Sequence, residues 1–231
     1  MKFNGLQGGF RMKRTLSLGL ILFLLALTLG ACSVVENLTT EQPTLASGTL
    51  IGEDDFSITP NGWGTMGRTG GEIGFEYEGL TITVDTPNFM FWTVNGSKYG
   101  DAQIEVDAVL LEGPSDDNFG VICRFQDNKN FYAFVISHDG YYGIFKMIDG
   151  AIVTGSGEAK LEYSEAIRKG GVVNHIVATC QDEMLTLTVN DTMLTQVQDS
   201  SFSEGQVGLI ASAYSDPGVK VLFDNLKIYQ P

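Results

Sequence analysis

A succession of short apolar runs, each ended by a turn signal, constrains this chain of 231 residues more than any other feature. From about residue 51 onward, runs of β-branched and aromatic residues cover 73–77, 80–84, 89–94, 102–111, 119–125, 131–138, 141–148, 172–180, 185–189, 206–213 and 219–229. Pairs such as Glu78-Gly79, Asp139-Gly140, Asp149-Gly150 and Asn190-Asp191 separate these runs and favour tight turns. Many short strands at regular spacing predict an all-β antiparallel sandwich or barrel. The one helical candidate, 163–168, is short.

The central hairpin can be assigned a register from its turn. If Asp139-Gly140 is a two-residue turn, Phe134 pairs with Phe145, and a symmetric preceding loop places Arg124 opposite Tyr132. One face would then carry Ile122, Arg124, Tyr132, Phe134, Phe145 and Met147, and a slip of one residue would exchange the faces. A guanidinium among aromatic rings suits a sugar or a carboxylate ligand, whereas a structural arginine paired with a carboxylate is the alternative.

The first 31 residues have the layout of an export signal. Four basic residues and no acidic ones precede an apolar run over 16–29, which is shorter than the roughly 20 residues needed to span a bilayer. The run ends in Leu29-Gly30-Ala31-Cys32, which resembles the lipobox of bacterial lipoprotein signal peptides. This resemblance implies cleavage before Cys32, lipidation of its thiol, and an extracytoplasmic protein anchored in the cell membrane or the outer membrane. An ordinary cleaved signal followed by a chance cysteine is the alternative.

The expected organisation is a lipoprotein signal peptide over 1–31, Cys32 with a flexible tether over 32–50, and one sandwich domain over 51–231. The tether is rich in Thr and Ser and contains Pro43. The whole chain has a net charge of −14; without the four basic residues of the signal, 10 Lys and Arg face 28 Asp and Glu, a net charge of −18. Because so acidic a domain offers no basic stripe to phosphates, nucleic acid is excluded as a partner.

Seven short motifs resemble, in order, the concanavalin A-like (laminin G-like) jelly-roll domains of bacterial extracellular lipoproteins. They are Phe119–Arg124, Asn130–Phe134, Asp139–Tyr142, Asn174 with Cys180, Leu185–Asn190, Gly205–Leu209 and Phe223–Asn225. Many such domains are of the 3-keto-disaccharide hydrolase or domain-of-unknown-function type. The resemblance implies a two-sheet sandwich of about 12–14 strands with a concave face available for a glycan. Trp92, Arg124, Tyr132 and Tyr142 are the candidate ligand-binding residues, because aromatic rings stack on sugar rings.

Two carboxylates on one strand raise the question of catalysis. In the laminarinase-like enzymes of this superfamily the catalytic pair lies in a Glu-x-Asp-x-x-Glu motif or a motif one residue longer. Glu105 and Asp107 match its first two positions and share a face, but Leu110 and Leu111 occupy the positions of the third carboxylate. We therefore expect solvent-facing carboxylates and a non-catalytic, carbohydrate-binding protein. A glycoside-acting hydrolase and a protein-binding adhesion or sensor domain are the alternatives.

The resemblance also bears on the remaining cysteines and on a metal. Cys123 and Cys180 match positions that hold cysteines in many of these domains, and a disulfide there would stabilise the fold by about 4 kcal/mol in the chain-entropy model. Two buried free thiols are the alternative. The first and last strands are often neighbours in this superfamily, so Asp54 or Asp55 could approach Asp224 and hold a structural Ca²⁺. Solvated turn carboxylates are the alternative there, and no other cofactor is expected.

Overall fold

The computed structural model describes residues 45–57, 62–153 and 160–231, and these contain sixteen strands and no helix. The strands are β1 (Leu50–Asp54), β2 (Met66–Arg68), β3 (Gly71–Glu76), β4 (Gly79–Val84), β5 (Phe89–Tyr99), β6 (Ala102–Glu112), β7 (Asn118–Asp127), β8 (Asn130–Ser137), β9 (Tyr141–Ile148), β10 (Ala151–Val153), β11 (Glu162–Tyr163), β12 (Asn174–Gln181), β13 (Met184–Val189), β14 (Thr192–Gln198), β15 (Gly205–Ala213) and β16 (Val219–Tyr229). Among these residues, nothing has the helical length and apolarity needed to span a membrane. The predictions for residues 1–44, Cys32 among them, lie outside the described residues.

The strands form two antiparallel sheets packed as a sandwich, which confirms the predicted fold class. The nine-stranded sheet has the order β14-β13-β12-β6-β16-β4-β3-β2, with β1 also paired to β16. The seven-stranded sheet has the order β10-β9-β8-β7-β15-β5, with β11 paired to β9. The strand count exceeds the 12–14 that the resemblance implied. The eleven apolar runs correspond to eleven of these strands, and five short or exposed strands escaped the sequence pattern: β1, β2, β10, β11 and β14.

The core lies between the two sheets and follows the alternation of each strand. In β6, for example, Ile104, Val106 and Ala108 point inward, whereas Glu105 and Asp107 point outward. A disulfide joins Cys123 of the seven-stranded sheet to Cys180 of the nine-stranded sheet, as the resemblance implied. Both cysteines are buried, so the bridge crosses the core and links the two layers.

The register predicted for the central hairpin is wrong by one residue. The turn has three residues, 138–140, so Phe134 pairs with Ile144, and Phe145 pairs with Ala133. Gly140 adopts a φ of 105°, and His138 turns into the interior, where its Nδ1 accepts a hydrogen bond from the Gly171 N–H at 3.1 Å. Burial lowers the pKa of His138. Because of this one-residue shift, the residues predicted to share a face lie on opposite faces. Tyr132 and Phe134 point into the core, whereas Phe145 and Met147 lie on the outer face.

Because of a β-bulge in β7, Arg124 does not lie opposite Tyr132 as predicted. Tyr132 pairs with Cys123, and the next pair along the ladder is Asp127 with Asn130. Arg124 lies within the bulge at a φ of 52°. Because a bulge inserts an extra residue and redirects the side chain, alternation along the strand could not predict its direction.

The expected helix at 163–168 is a single turn instead. Tyr163 ends β11, and the Ser164 carbonyl then accepts a hydrogen bond from the Ile167 N–H at 3.4 Å. The Ser164 hydroxyl accepts a second hydrogen bond from the Ala166 N–H at 3.2 Å. A serine side chain that bonds the backbone two residues ahead offers the chain a turn in place of a helix.

Candidate functional site: a cleft on the seven-stranded sheet

The outer face of the seven-stranded sheet carries a cleft of about 380 Å³. Its floor and walls are apolar and consist of Met90, Phe131, Ala133, Val135, Phe145, Met147, Ile152 and Ile210. Its other end is formed by Asn88, Phe89, Asn118, Ser212, Ala213 and Tyr214, where β5 and β7 begin and β15 ends. We call this feature the apolar cleft and its second set of residues the polar end. Its volume lies within the range of small-ligand sites.

The apolar floor follows from strands that are hydrophobic on both faces. In β8, residues 131–136 are apolar without interruption, so alternate side chains enter the core and the rest form the floor of the cleft. The floor side chains of Phe131 and Ile210 are only 1% and 4% exposed, whereas the rim residues Phe89 and Ile152 are 41% and 46% exposed. An antiparallel sheet commonly turns a polar face outward, so the apolar outer face makes this cleft a candidate binding surface.

Aromatic rings border this floor. The Trp92 ring lies 5.5 Å from that of Phe131, and the Phe131 ring stacks on Phe125 at 5.6 Å, both measured between centroids. Trp92 is half-buried and packs against the floor residues. It is the member of the four predicted ligand-binding residues that the structure brings beside the apolar cleft.

The polar end holds one buried acceptor without a hydrogen-bond partner among the described residues, Asn118 Oδ1, and the preceding residue, Asp117, which is not part of the cleft lining, holds a second, Oδ2. Asn118 Nδ2 donates to the Tyr214 hydroxyl at 2.6 Å, and Asp117 Oδ1 accepts from the Tyr214 N–H at 2.7 Å. The Tyr214 hydroxyl accepts from Asn118 and so keeps its own hydrogen for donation. Burial raises the pKa of Asp117, and the nearby carboxylates of Asp116 and Asp216 raise it further.

Arg124 lies in the interior instead of at a binding surface. It is 1% exposed, and its Nη1 donates to the carbonyls of Asp182 and Phe202 at 2.8 and 2.9 Å. Its Nη2 forms an ion pair with Asp101 at 2.9 Å. These contacts correspond to the structural alternative, and they tie the loops that follow β5, β12 and β14 to one guanidinium.

Tyr132 and Tyr142 also point away from the apolar cleft. Tyr132 donates to Asp199 Oδ1 at 2.7 Å and accepts from the Phe202 N–H at 3.1 Å. Burial and the hydrogen bond to Asp199 raise the pKa of Tyr132 to about 12. The Tyr142 hydroxyl lies 3.0 Å from Glu162 Oε2. Both tyrosines therefore hold the core to neighbouring segments.

Glu105 and Asp107 lie on the outer face of the other sheet, as their alternation predicted. His175 stands between them: its Nδ1 is 2.9 Å from Asp107 Oδ1, and its Nε2 is 3.8 Å from Glu105 Oε2. Asp107 Oδ2 also accepts from Asn225 Nδ2 at 3.0 Å, and Glu105 Oε1 accepts from Gln103 Nε2 at 2.8 Å. The pair is thus held by neighbours on its own face.

The aspartates considered for calcium lie near the paired ends of β1 and β16, which are neighbours as the resemblance implied. Asp54 Oδ2 accepts from Trp63 Nε1 at 2.9 Å, and Asp55 Oδ1 accepts from the Ser57 N–H at 3.0 Å. Asp224 Oδ1 accepts from the Asn225 N–H at 2.7 Å. Within the described parts of the chain, no group of three or more His, Cys, Asp or Glu side chains is placed to bind a metal. The calcium site stays a prediction.

Sequence reasoning did not single out the residues of the polar end as candidate ligand contacts. Asp116-Asp117-Asn118 is an oxygen-rich segment, but nothing in its pattern tells that two of its oxygens are buried without donors. Tyr214 lies in the loop after β15, and its partnership with Asn118 spans 96 residues. The long apolar run of β8 was the available signal for the cleft, since one strand cannot bury both faces in a single core.

Comparisons with known proteins establish the fold. No protein-family model matches the sequence, and a search of curated proteins finds no match. The chain is similar in structure to the carbohydrate-binding module CBM66 from Bacillus subtilis, with a TM-score of 0.56 and 18% identity over 73% of this chain and 96% of that one. It is also similar to a Bacillus subtilis protein of unknown function with a galectin-like fold, with a TM-score of 0.59 and 12% identity over 81% and 98% of the two chains.

A third similar structure is the carbohydrate recognition domain of Emp46p in its potassium-bound form, with a TM-score of 0.55 and 11% identity over 76% of this chain and 94% of that one. Structural similarity at such low sequence identity shows the fold alone. The chain folds as a galectin-like jelly-roll sandwich, the class to which the concanavalin A-like expectation pointed.

Proposed function

We propose that this protein is a non-catalytic, carbohydrate-binding β-sandwich, and that the apolar cleft with its polar end is its binding site. The observation that carries the proposal is Asn118 Oδ1, a buried acceptor at one end of the apolar cleft that has no donor among the described residues. A buried acceptor without a partner costs about 1–3 kcal/mol. A ligand that brings hydroxyl groups would remove that penalty.

The chemistry of a sugar suits both parts of this site. Its hydroxyls would donate to Asn118 Oδ1 and accept from the Tyr214 hydroxyl. Its C–H faces would lie against rings such as Phe131, because sugar faces pack on aromatic rings. The architecture shared with a carbohydrate-binding module and a carbohydrate recognition domain supports the same class of ligand.

The charge near the polar end selects among glycans. Asp116 and Asp216 lie close enough to Asp117 to raise its pKa, so the surroundings are acidic. The chain as a whole has a net charge of −14. An acidic glycan would be repelled by like charge, and a neutral one would not. We therefore assign the site to a neutral glycan.

The positions of Glu105 and Asp107 favour binding over hydrolysis. They lie on the outer face of the nine-stranded sheet, whereas the apolar cleft lies on the seven-stranded sheet. A glycosidase needs its two carboxylates on either side of the bond that it cleaves. Release of products from oligosaccharides, lost in Glu105→Gln, would contradict this part of the proposal.

The anchor at Cys32 completes the proposed function as that of a bacterial surface lipoprotein. Its support is the order of basic residues, apolar run and Leu29–Cys32 in the sequence. Two or more acyl chains hold a protein firmly on a membrane. Cys32→Ser should release the protein in soluble, unprocessed form. If this variant stayed as firmly bound as the wild type, the anchor would be wrong.

A glycan array tests the binding function. The full chain carrying Cys32→Ser should bind neutral glycans, and Asn118→Ala should weaken that binding about tenfold, as expected for the loss of a hydrogen bond. Asp107→Asn, a polar substitution on the opposite outer face, is the control and should leave binding unchanged. Binding to a protein in place of any glycan would favour an adhesion or sensor role and overturn the proposal.

A further inference from the structure

We infer that the natural ligand of the apolar cleft is a neutral sugar that carries an apolar substituent, such as an alkyl, acyl or aryl group, and not an unmodified oligosaccharide. This inference rests on the proposed function and concerns the same site. It follows from how polar and apolar groups are divided along the cleft.

The polar side chains of the cleft are grouped at one end. Asn88, Asn118, Ser212 and Tyr214 all lie where β5 and β7 begin and β15 ends. The remaining described lining, from Met90 to Ile152, is hydrophobic side chain throughout. The polar end can therefore hydrogen-bond one sugar unit, and the rest of the described lining presents no side-chain donor or acceptor to a second.

An unmodified oligosaccharide would match this arrangement poorly. Its second and third rings would place several hydroxyls against Phe131, Val135 and Met147, which are 1%, 4% and 7% exposed. Each hydroxyl that loses water without gaining a partner costs free energy, about 1–3 kcal/mol by mutational data. An apolar substituent gains free energy in the same place, about 0.8 kcal/mol for each buried CH₂ group.

The exposed rim shows how such a substituent could enter and leave. Phe89 and Tyr214 belong to the polar end, and Ile152 lies in the edge strand β10; all three are 40% exposed or more. Large exposed hydrophobic residues beside a buried apolar floor are typical of a surface that is covered when a ligand binds.

Matched glycosides test the inference. The full chain carrying Cys32→Ser is titrated calorimetrically with the methyl and hexyl glycosides of glucose, galactose, mannose and fructose, and with hexanol alone. For at least one sugar, the hexyl glycoside should bind about tenfold more tightly than the methyl glycoside or hexanol, a modest share of what burying five additional CH₂ groups can supply. Equal affinity of hexyl and methyl glycosides would overturn the inference and leave the proposed function intact.

The other outcomes separate the two proposals. Binding of hexanol as tight as that of the hexyl glycoside would show an apolar-ligand site without a sugar requirement, and would overturn the inference. If no glycoside bound and the glycan array were also blank, the proposed function itself would fail. The two failures therefore have different signatures.

Two variants test whether the apolar substituent binds in the cleft. Ala133→Phe adds a ring to the floor and should abolish the preference for the hexyl glycoside. Thr179→Phe, on the outer face of the nine-stranded sheet, is its control. Because Ala133 is only 5% exposed, that variant can fail to fold; Ile152→Ser at the exposed rim should then reduce the preference a few-fold without affecting the fold. An undiminished preference in Ile152→Ser and in a folded Ala133→Phe would overturn the inference.

Discussion

The two sheets of this sandwich turn very different faces to the outside. On the nine-stranded sheet, Gln103, Glu105, Asp107 and His175 stand side by side, and each finds a partner on the same face. On the seven-stranded sheet, the outer face is apolar, and its few polar groups include Asn118 Oδ1, a buried acceptor without a partner among the described residues. The comparison teaches that the carboxylates of a motif that resembles a catalytic one, Glu105 and Asp107, already have partners on their own face. The proposed site instead contains an acceptor, Asn118 Oδ1, in a segment without any known motif.

The largest expected effect comes from placing a charge on each face. Val135→Asp puts a carboxylate on a floor position that is 4% exposed and should lower the free energy of unfolding by at least about 3 kcal/mol. Thr179→Asp, nearly the same change in shape on the other outer face, should change it by no more than about 0.5 kcal/mol. Urea unfolding measures both. Similar losses would mean that the two faces do not differ as described.

The next effect is on binding at the polar end. Tyr214→Phe removes a donor to the ligand and the acceptor of the Asn118 amide, so affinity for the best glycan of the array should fall about tenfold. Tyr77→Phe is the matched control, because Tyr77 is 69% exposed and lies in the turn between β3 and β4. Calorimetric titration compares the two. Equal affinities would remove Tyr214 from the site.

A smaller effect concerns pH and stability. Because the pKa of Asp117 is raised in the folded protein, protonation of this carboxyl favours the folded state. The resulting stabilisation is fully present below the unfolded pKa of about 3.9 and is lost as pH rises through the folded pKa. Asp117→Asn should therefore stabilise the protein at pH 7, and the gain should shrink toward pH 3. Unfolding curves across that range measure it. A gain that grew toward low pH would contradict the sign.

The smallest expected effect is on the charged face itself. Glu105→Gln keeps an acceptor for Gln103 and loses only a half-exposed interaction with His175, so stability should change by less than about 1 kcal/mol. Glycan binding should stay unchanged. A loss of glycan binding in this variant would move the site to the nine-stranded sheet and reverse the comparison.

Periodicity predicted most of the fold and little of the site. All eleven strands expected from the apolar runs are present, since alternation against one core is a local property of the chain. Short edge strands such as β10 and β14 escaped because exposed strands lack that alternation. The hairpin register failed through one extra turn residue, and Arg124 through a bulge, features that depend on Gly140 and on contacts distant in sequence.

The polar end illustrates why the site escaped. Whether Asn118 Oδ1 lacks a donor depends on where Tyr214 and Ser212 lie, and these are brought to it by the pairing of β7 with β15. The resemblance predicted the two-sheet sandwich and the pairing of Cys123 with Cys180, and the structure shows both. It could not predict which face of this particular chain is apolar.

The disulfide has a mechanical meaning in the proposed arrangement. The tether would pull on β1, which belongs to the nine-stranded sheet, while a glycan fixed to a surface would hold the seven-stranded sheet. Tension would then act to pull one layer from the other, against side-chain packing and a few hydrogen bonds such as that between the Tyr142 hydroxyl and the Leu194 carbonyl. The Cys123–Cys180 disulfide is a covalent link between the two sheets. While this disulfide is oxidised, the sheets should stay together under tension.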